Sequence, residues 1–185
     1  MDYHEMEMRA VYARTLNDLM DENPHVVCLE ADLGKSSGTV PEVREKHPDN
    51  FIECGVCEAN MIGVAAGLAK EGKIPFCASF TSFASRRAYD QVTISVGFAN
   101  NNVKIVGTAP GITNGPNGGT HICFQDLAIM RAMPNMHVYS PCDVYDHDHD
   151  YVEEGRPRDP SPLGALGVLG GESSALLTRL RRRTG

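Results

Sequence analysis

The sequence predicts an α/β domain built on a largely parallel sheet. Short apolar runs typical of buried strands alternate with longer segments in which apolar residues recur at helical spacing. Irregular stretches rich in glycine, serine and threonine follow several of the apolar runs. Strands that alternate regularly with helices are typical of βαβ units, whose strands pair in parallel.

The individual elements follow in order along the chain. The predicted strands are 26–29, 51–54, 74–78, 103–106 and 136–139. The predicted helices are 5–21, 58–70, 83–99 and 124–133. Because ligands of parallel sheets bind at the carboxyl ends of the strands, the loops after Glu30, Cys54, Ser79 and Gly107 are expected to carry the chemistry.

Composition limits the possible functions. The chain has 185 residues, enough for one domain with a core, and a net charge of -7, which argues against a nucleic-acid-binding face. It contains no apolar run long enough for a membrane span, and its first residues lack the apolar stretch of a signal peptide. We therefore expect a cytoplasmic protein without membrane or nucleic-acid partners.

The composition changes after Asp143. Residues 144–185 contain no Lys, Ile, Asn or Phe, and the alternation of strand and helix patterns stops. The sequence therefore predicts one domain over 5–143 and a divergent, disordered tail over 144–185. The run His147 to Asp150 could hold a metal, although such a run is more typical of a solvated loop.

The cysteines are best interpreted as reduced thiols in a chain without a signal peptide. Cys54 and Cys57 form a CxxC pair, but no second pair completes a four-thiolate zinc site. Small residues packed where a strand meets a helix explain the pair more simply than a redox site. We predict no metal site in this chain.

Five segments, in this order and spacing, resemble the pyrimidine-binding domain of transketolases, especially those encoded as two subunits. They are LEADL at 29–33, CGVCEANM at 54–61, SRRAYDQ at 85–91, GGTH at 118–121 and MPNM at 133–136. The resemblance covers about residues 8–143. It implies a three-layer, parallel-sheet domain that binds the pyrimidine half of thiamine diphosphate.

The resemblance assigns Glu58 the central role. In this family a glutamate at the start of the corresponding helix hydrogen-bonds the ring nitrogen N1′ of the cofactor's aminopyrimidine. A carboxyl group there favours the tautomer whose 4′-nitrogen is the internal base, while the cofactor supplies the carbanion chemistry. Without the motif, Glu58 would be a first-turn glutamate that interacts with the helix dipole.

Other site residues are also implied by the resemblance. Phe80 and Phe83 fall on the segment that gives relatives an aromatic wall against the pyrimidine, and stacking suits such a flat ring. Arg86 is at a position that lines the same site, and Asp32 lies in the first shared motif. Two core phenylalanines at this spacing remain the alternative.

His121, Ser36 and Asn117 are the substrate-binding candidates. His121 matches the histidine of the family's Gly-x-Thr-His motif, and an imidazole can donate to a sugar hydroxyl or a developing alkoxide. Ser36 falls where some relatives contact a sugar phosphate. Asn117 replaces an acidic residue that usually binds a hydroxyl, so the sugar specificity is open.

The sequence contains no Gly-Asp-Gly that is followed, at the family's spacing, by Asn-Asn, the combination with which the family holds magnesium and diphosphate. We therefore expect these groups on a separate N-terminal subunit, in a homo- or hetero-oligomer that transfers a two-carbon ketol unit between sugar phosphates. The alternatives are a fragment of 1-deoxyxylulose-5-phosphate synthase, the β subunit of a 2-oxoacid dehydrogenase, or an inactive remnant of the fold.

Overall fold

The computed structural model describes residues 7–141 and 164–168 of the chain. Six parallel strands form one sheet in the order β2-β1-β3-β4-β6-β5. They are β1 (Val26–Glu30), β2 (Phe51–Glu53), β3 (Ile74–Phe80), β4 (Lys104–Thr108), β5 (Met136–Tyr139) and β6 (Gly164–Val168).

Helices connect these strands. The α-helices are α1 (Met8–Glu22), α2 (Gly34–Ser37), α3 (Glu58–Lys70) and α5 (Asp126–Arg131). Between them, the helical segment 82–98, which we name α4, consists of Ser82–Arg87, Tyr89–Gln91 and Val92–Phe98, with wide π-type turns in its first and last parts. Shorter helical turns are Val40–Arg44, Pro48–Asn50 and Gly115–Asn117.

The helices cover both faces of the sheet. Side chains alternate along a strand, so Val27 and Leu29 of β1 pack on one face with α3, α4 and α5, in a core that includes Met61 and Met130. Cys28 lies on the opposite face, in a second core with buried residues of α1. This three-layer arrangement confirms the predicted fold class.

The start of α4 packs tightly against the end of β4. The Thr81 hydroxyl donates to the Thr108 carbonyl, with 2.9 Å between the oxygens. A Cβ atom on Gly107 would lie 2.8 Å from Thr81 Oγ1, so only glycine fits there without a shift. This close approach fixes the first turn of α4 at the carboxyl edge of the sheet.

Most element boundaries agree with the sequence prediction, but β6 differs from it. Gly164–Val168 pairs with β4 and β5, within the segment that the sequence analysis separated from the domain. The sheet thus includes a strand from beyond residue 143, while the domain boundary itself stays a prediction. The rest of the predicted tail, including His147 to Asp150, lies outside the described residues.

Among residues 7–141 and 164–168, no helix has both the length and the apolar character needed to cross a membrane.

Candidate functional site

Four of the predicted site residues meet at the carboxyl edge of the sheet. Phe80 ends β3, Phe83 lies in the first turn of α4, Glu58 begins α3 and His121 lies in the loop between β4 and α5. Parallel strands bring their carboxyl ends, and the helix N-termini that follow them, to the same edge. The site is therefore a consequence of the sheet topology.

Glu58 is a buried carboxyl group at the N-terminus of α3. Its relative exposure is only 3%. A tight turn leads into the helix, with Gly55 at φ 68° and the Cys57 N–H donating to the Gly55 carbonyl. The partial positive charge of a helix N-terminus stabilises a carboxylate there, which offsets part of the cost of burial.

An aromatic cluster of Phe80, Phe83 and His121 lies at the same edge of the sheet. The ring centroids of Phe80 and Phe83 are 5.8 Å apart. The His121 ring lies 5.6 Å from that of Phe80 and 4.9 Å from that of Phe83, the latter edge-on. These distances are typical of favourable aromatic pairs, so the three rings form one packed surface.

Arg87 links the carboxyl group to the aromatic cluster. Its Nη1 atom lies 3.3 Å from each carboxylate oxygen of Glu58. Its guanidinium carbon lies 3.8 Å from the centroid of the Phe83 ring, close enough for a cation–π interaction. Nothing in the sequence pattern distinguished Arg87 from a packing or interface residue, so no role was predicted for it.

Arg86 points to a different part of the site. Its Nη2 atom donates to the Gly119 and Thr120 carbonyls at 3.5 and 3.3 Å, and Nη1 donates to the Ile122 carbonyl at 3.5 Å. Within this loop, Thr120 Oγ1 and His121 Nδ1 are 2.9 Å apart. Arg86 therefore holds the backbone around His121 in place.

A second buried carboxyl group, Glu30, organises the loop after β1. Its Oε1 atom accepts hydrogen bonds from the hydroxyls of Ser37 and Thr39, the latter at 2.6 Å. Burial raises the pKa of Glu30 to about 7, although both hydrogen bonds act in the opposite direction. A charged residue at the end of an apolar strand was the sequence signal that could have revealed this group.

The other three candidates are Asp32, Ser36 and Asn117. Asp32 is exposed and has φ 60°. The backbone carbonyl of Ser36 accepts a hydrogen bond from the Arg9 side chain. Asn117 is exposed in the turn Gly115–Asn117. In the described part of the chain, none of the three is hydrogen-bonded to Glu58 or His121. Their binding roles remain predictions.

The residues at this edge fit an aminopyrimidine. A buried carboxyl group can bond a ring nitrogen, and the Phe80 and Phe83 rings at the same edge offer flat apolar faces for stacking. Across residues 7–141 and 164–168, no cluster of three or more His, Cys, Asp or Glu side chains could hold a metal ion. Cys54 and Cys57 are both free thiols.

Fold and site together define an α/β domain with a ligand site at the carboxyl edge of a parallel sheet. Residues 4–163 match the family model "Transketolase, pyrimidine binding domain". The chain belongs to this family, as the motifs indicated.

Two curated relatives are subunits of split enzymes. The 6-deoxy-6-sulfo-D-fructose transketolase subunit SqwH of Clostridium sp. (strain MSTE9) is 52% identical over 136 residues, which cover 74% of this chain and 42% of that protein. The putative transketolase C-terminal section of Methanocaldococcus jannaschii is 47% identical over 138 residues, covering 75% and 43%. The chain thus matches less than half the length of either relative.

Solved structures show the same fold. A split-gene transketolase, an inactive beta4 tetramer, superposes with a TM-score of 0.76 at 35% identity, covering 89% of this chain and 51% of that one. The Campylobacter jejuni transketolase superposes with a TM-score of 0.75 over 90% of this chain and 27% of that one. At 22% identity, this second likeness supports the fold alone.

Proposed function

We propose that this chain contributes the pyrimidine half of the thiamine diphosphate site in a split transketolase, which transfers a two-carbon ketol unit between sugar phosphates. The observation that carries the proposal is the buried carboxyl group of Glu58 at a helix N-terminus, joined through Arg87 to the Phe83 ring of the aromatic cluster. Family membership supports the same conclusion.

Each residue of the site has a defined task in this proposal. Bound thiamine diphosphate supplies the carbon nucleophile and electron sink that break a carbon–carbon bond next to a carbonyl. Glu58 holds a proton at ring nitrogen N1′, while Phe80 and Phe83 orient the pyrimidine and exclude water. His121 donates a hydrogen bond to a substrate hydroxyl, and Arg86 keeps its loop in position.

The magnesium ion and the diphosphate require a partner. We place them on a separate N-terminal subunit, so that the cofactor lies between the two chains in a cytoplasmic oligomer. Oxygen ligands gathered at one point are what magnesium needs. The relatives named as transketolase subunits or sections support this division.

The substrate is expected to be an anionic ketose. The donor ketose in the proposed reaction carries a phosphate, while the Clostridium relative is named for a sulfonated one. Both are tetrahedral anions at the end of a sugar chain. Ser36 and Asn117 are the proposed contacts on this chain, with the neutral Asn117 setting the preference among sugar hydroxyls.

Reconstitution tests the proposed function. The chain is mixed with the diphosphate-binding subunit of a split transketolase, thiamine diphosphate and magnesium, and ketol transfer is measured. Fructose 6-phosphate and 6-deoxy-6-sulfofructose serve as donors in parallel. We expect transfer that requires both chains. A stable complex that binds the cofactor but transfers from neither donor would refute the proposed reaction.

A further inference from the structure

Arg87 contacts the two surfaces that an aminopyrimidine would need. One is the Glu58 carboxylate, with a single nitrogen equidistant from both oxygens at 3.3 Å. The other is the Phe83 ring, whose centroid lies 3.8 Å from the guanidinium carbon. A planar cation that bonds the carboxylate and stacks on the ring resembles, in shape and contacts, the heterocycle that Glu58 and Phe83 would bind.

We propose that Arg87 competes with the cofactor's pyrimidine for Glu58 and Phe83, and thereby sets the cofactor's affinity. This inference rests on the proposed function. A pyrimidine nitrogen that approaches either carboxylate oxygen meets Arg87 Nη1, and a ring stacked on that face of Phe83 meets the guanidinium plane. Both cannot be present at once, so the arginine must swing away.

The contacts of Arg87 are suited to such a displacement. Charge-assisted N–H···O bonds usually measure about 2.7–2.9 Å, so a separation of 3.3 Å indicates a loose pair. The Arg87 side chain is 48% exposed, whereas Glu58 is 3% exposed. A half-exposed arginine can move its charged end into solvent while its stem stays packed.

The Arg87–Glu58 pair also stabilises the chain when no ligand is bound. A buried carboxylate that loses its partner is costly, so Arg87 compensates the charge of Glu58. When a pyrimidine nitrogen provides a new partner for the carboxylate, this compensation is no longer required. The arrangement therefore links release of Arg87 to entry of the ring.

The test measures cofactor affinity directly. The dissociation constant of thiamine diphosphate, with magnesium, is determined by calorimetry for the reconstituted two-subunit complex carrying wild-type chain, Arg87→Ala or Arg87→Lys. If Arg87 competes with the pyrimidine, Arg87→Ala lowers the dissociation constant about ten-fold, because the pyrimidine no longer has to displace the guanidinium group from Glu58 and Phe83. Arg87→Lys keeps a positive charge for Glu58 but removes the planar group, so it binds the cofactor more tightly than wild type and guards against misfolding of the alanine variant.

A matched control is Arg44→Ala. Arg44 also lies near an aromatic ring, 6.0 Å from the centroid of Phe51, but away from Glu58, so its loss leaves the dissociation constant unchanged. Equal or weaker cofactor binding by both Arg87 variants would overturn the competition while leaving the proposed function intact. Absence of cofactor binding by every complex, wild type included, would overturn both.

Discussion

The carboxylate of Glu53 accepts a hydrogen bond from the backbone N–H of Asp32, with 2.7 Å between the two atoms. The same Oε1 atom accepts from the Gly55 N–H at 3.0 Å. One side chain thus ties the loop after β1 to the turn that leads into α3 and Glu58. Asp32 has φ 60°, a left-handed conformation that the surrounding contacts must maintain.

Replacing Glu53 tests this connection. We expect Glu53→Ala to destabilise the chain by about 1 kcal/mol, because two hydrogen bonds to a charged acceptor are lost near the surface. In the reconstituted complex the same change should raise the KM for cofactor more than it lowers kcat, since Gly55 precedes Glu58. Thermal unfolding and steady-state kinetics measure the two effects.

Glu53→Gln is the matched control. It keeps an acceptor oxygen for the Asp32 and Gly55 N–H groups, so most of the stability should return. If Glu53→Ala has the melting temperature and cofactor KM of the wild type, the two loops are held by other contacts.

Glu58→Gln should abolish most ketol transfer in the reconstituted complex. The amide has the same size and keeps an oxygen that Arg87 can contact, but it cannot share a proton with a ring nitrogen. General acid–base contributions predict a loss of about 10²- to 10⁴-fold in kcat. The complex itself should still assemble, which sedimentation can verify. A variant with more than half of the wild-type rate would contradict the role assigned to Glu58.

Glu30 should make the stability of the chain depend on pH. Its pKa is raised by burial from an ordinary value of 4.5 to about 7, so between these values the folded chain binds a proton that the unfolded chain has lost. The stability that Glu30 contributes is then fully present below pH 4.5, falls as the pH rises and is lost above about 7. The total loss is roughly 3 kcal/mol, at about 1.4 kcal/mol per pH unit.

Urea unfolding from pH 5 to pH 8 measures this effect. In Glu30→Gln the side chain cannot ionise, so the fall in stability over this pH range should be smaller than in the wild type by about 2.5 kcal/mol. Glu42→Gln changes an exposed carboxylate and should keep the wild-type slope. The same slope in all three proteins would show that Glu30 is not the group that titrates.

Motifs and periodicity were sufficient to predict much of the fold and to bring together part of the candidate site, whose binding roles stay predictions. The pattern at 58–70 predicted α3 with its observed bounds, and five ordered motifs led to Glu58, Phe80, Phe83 and His121. Their meeting point follows from the parallel sheet, because strand ends converge at one edge.

Three features depended on tertiary contacts that sequence patterns do not encode. Arg87 contacts Glu58 from 29 positions away, and Glu53 acts through the backbone of Asp32. The strand β6 lies in a segment rich in glycine and leucine, where no alternation with a helix marks it. Each depends on which elements become neighbours in space, which spacing along the chain does not specify.

We expect the isolated chain to self-associate through the carboxyl edge of the sheet. Several large apolar side chains are exposed, and Ile112 and Phe124 lie in the loop around His121, with exposures of 69% and 76%. Exposed apolar side chains grouped around one site are typical of interaction surfaces. The split-gene relative that forms a beta4 tetramer is consistent with such association.

Two matched substitutions locate the interface. Phe124 is 76% exposed at the site edge, and Phe98 is 77% exposed at the end of α4, which runs back to the opposite edge of the sheet. We expect sedimentation velocity at several concentrations to show oligomers for the wild type and for Phe98→Asp, and mostly monomers for Phe124→Asp. A charged side chain buried in an apolar interface without a partner costs several kcal/mol, and this cost is enough to dissociate the oligomer. Monomers of Phe98→Asp with oligomers of Phe124→Asp would place the interface at the opposite edge, and a wild-type monomer at every concentration would remove the interface altogether.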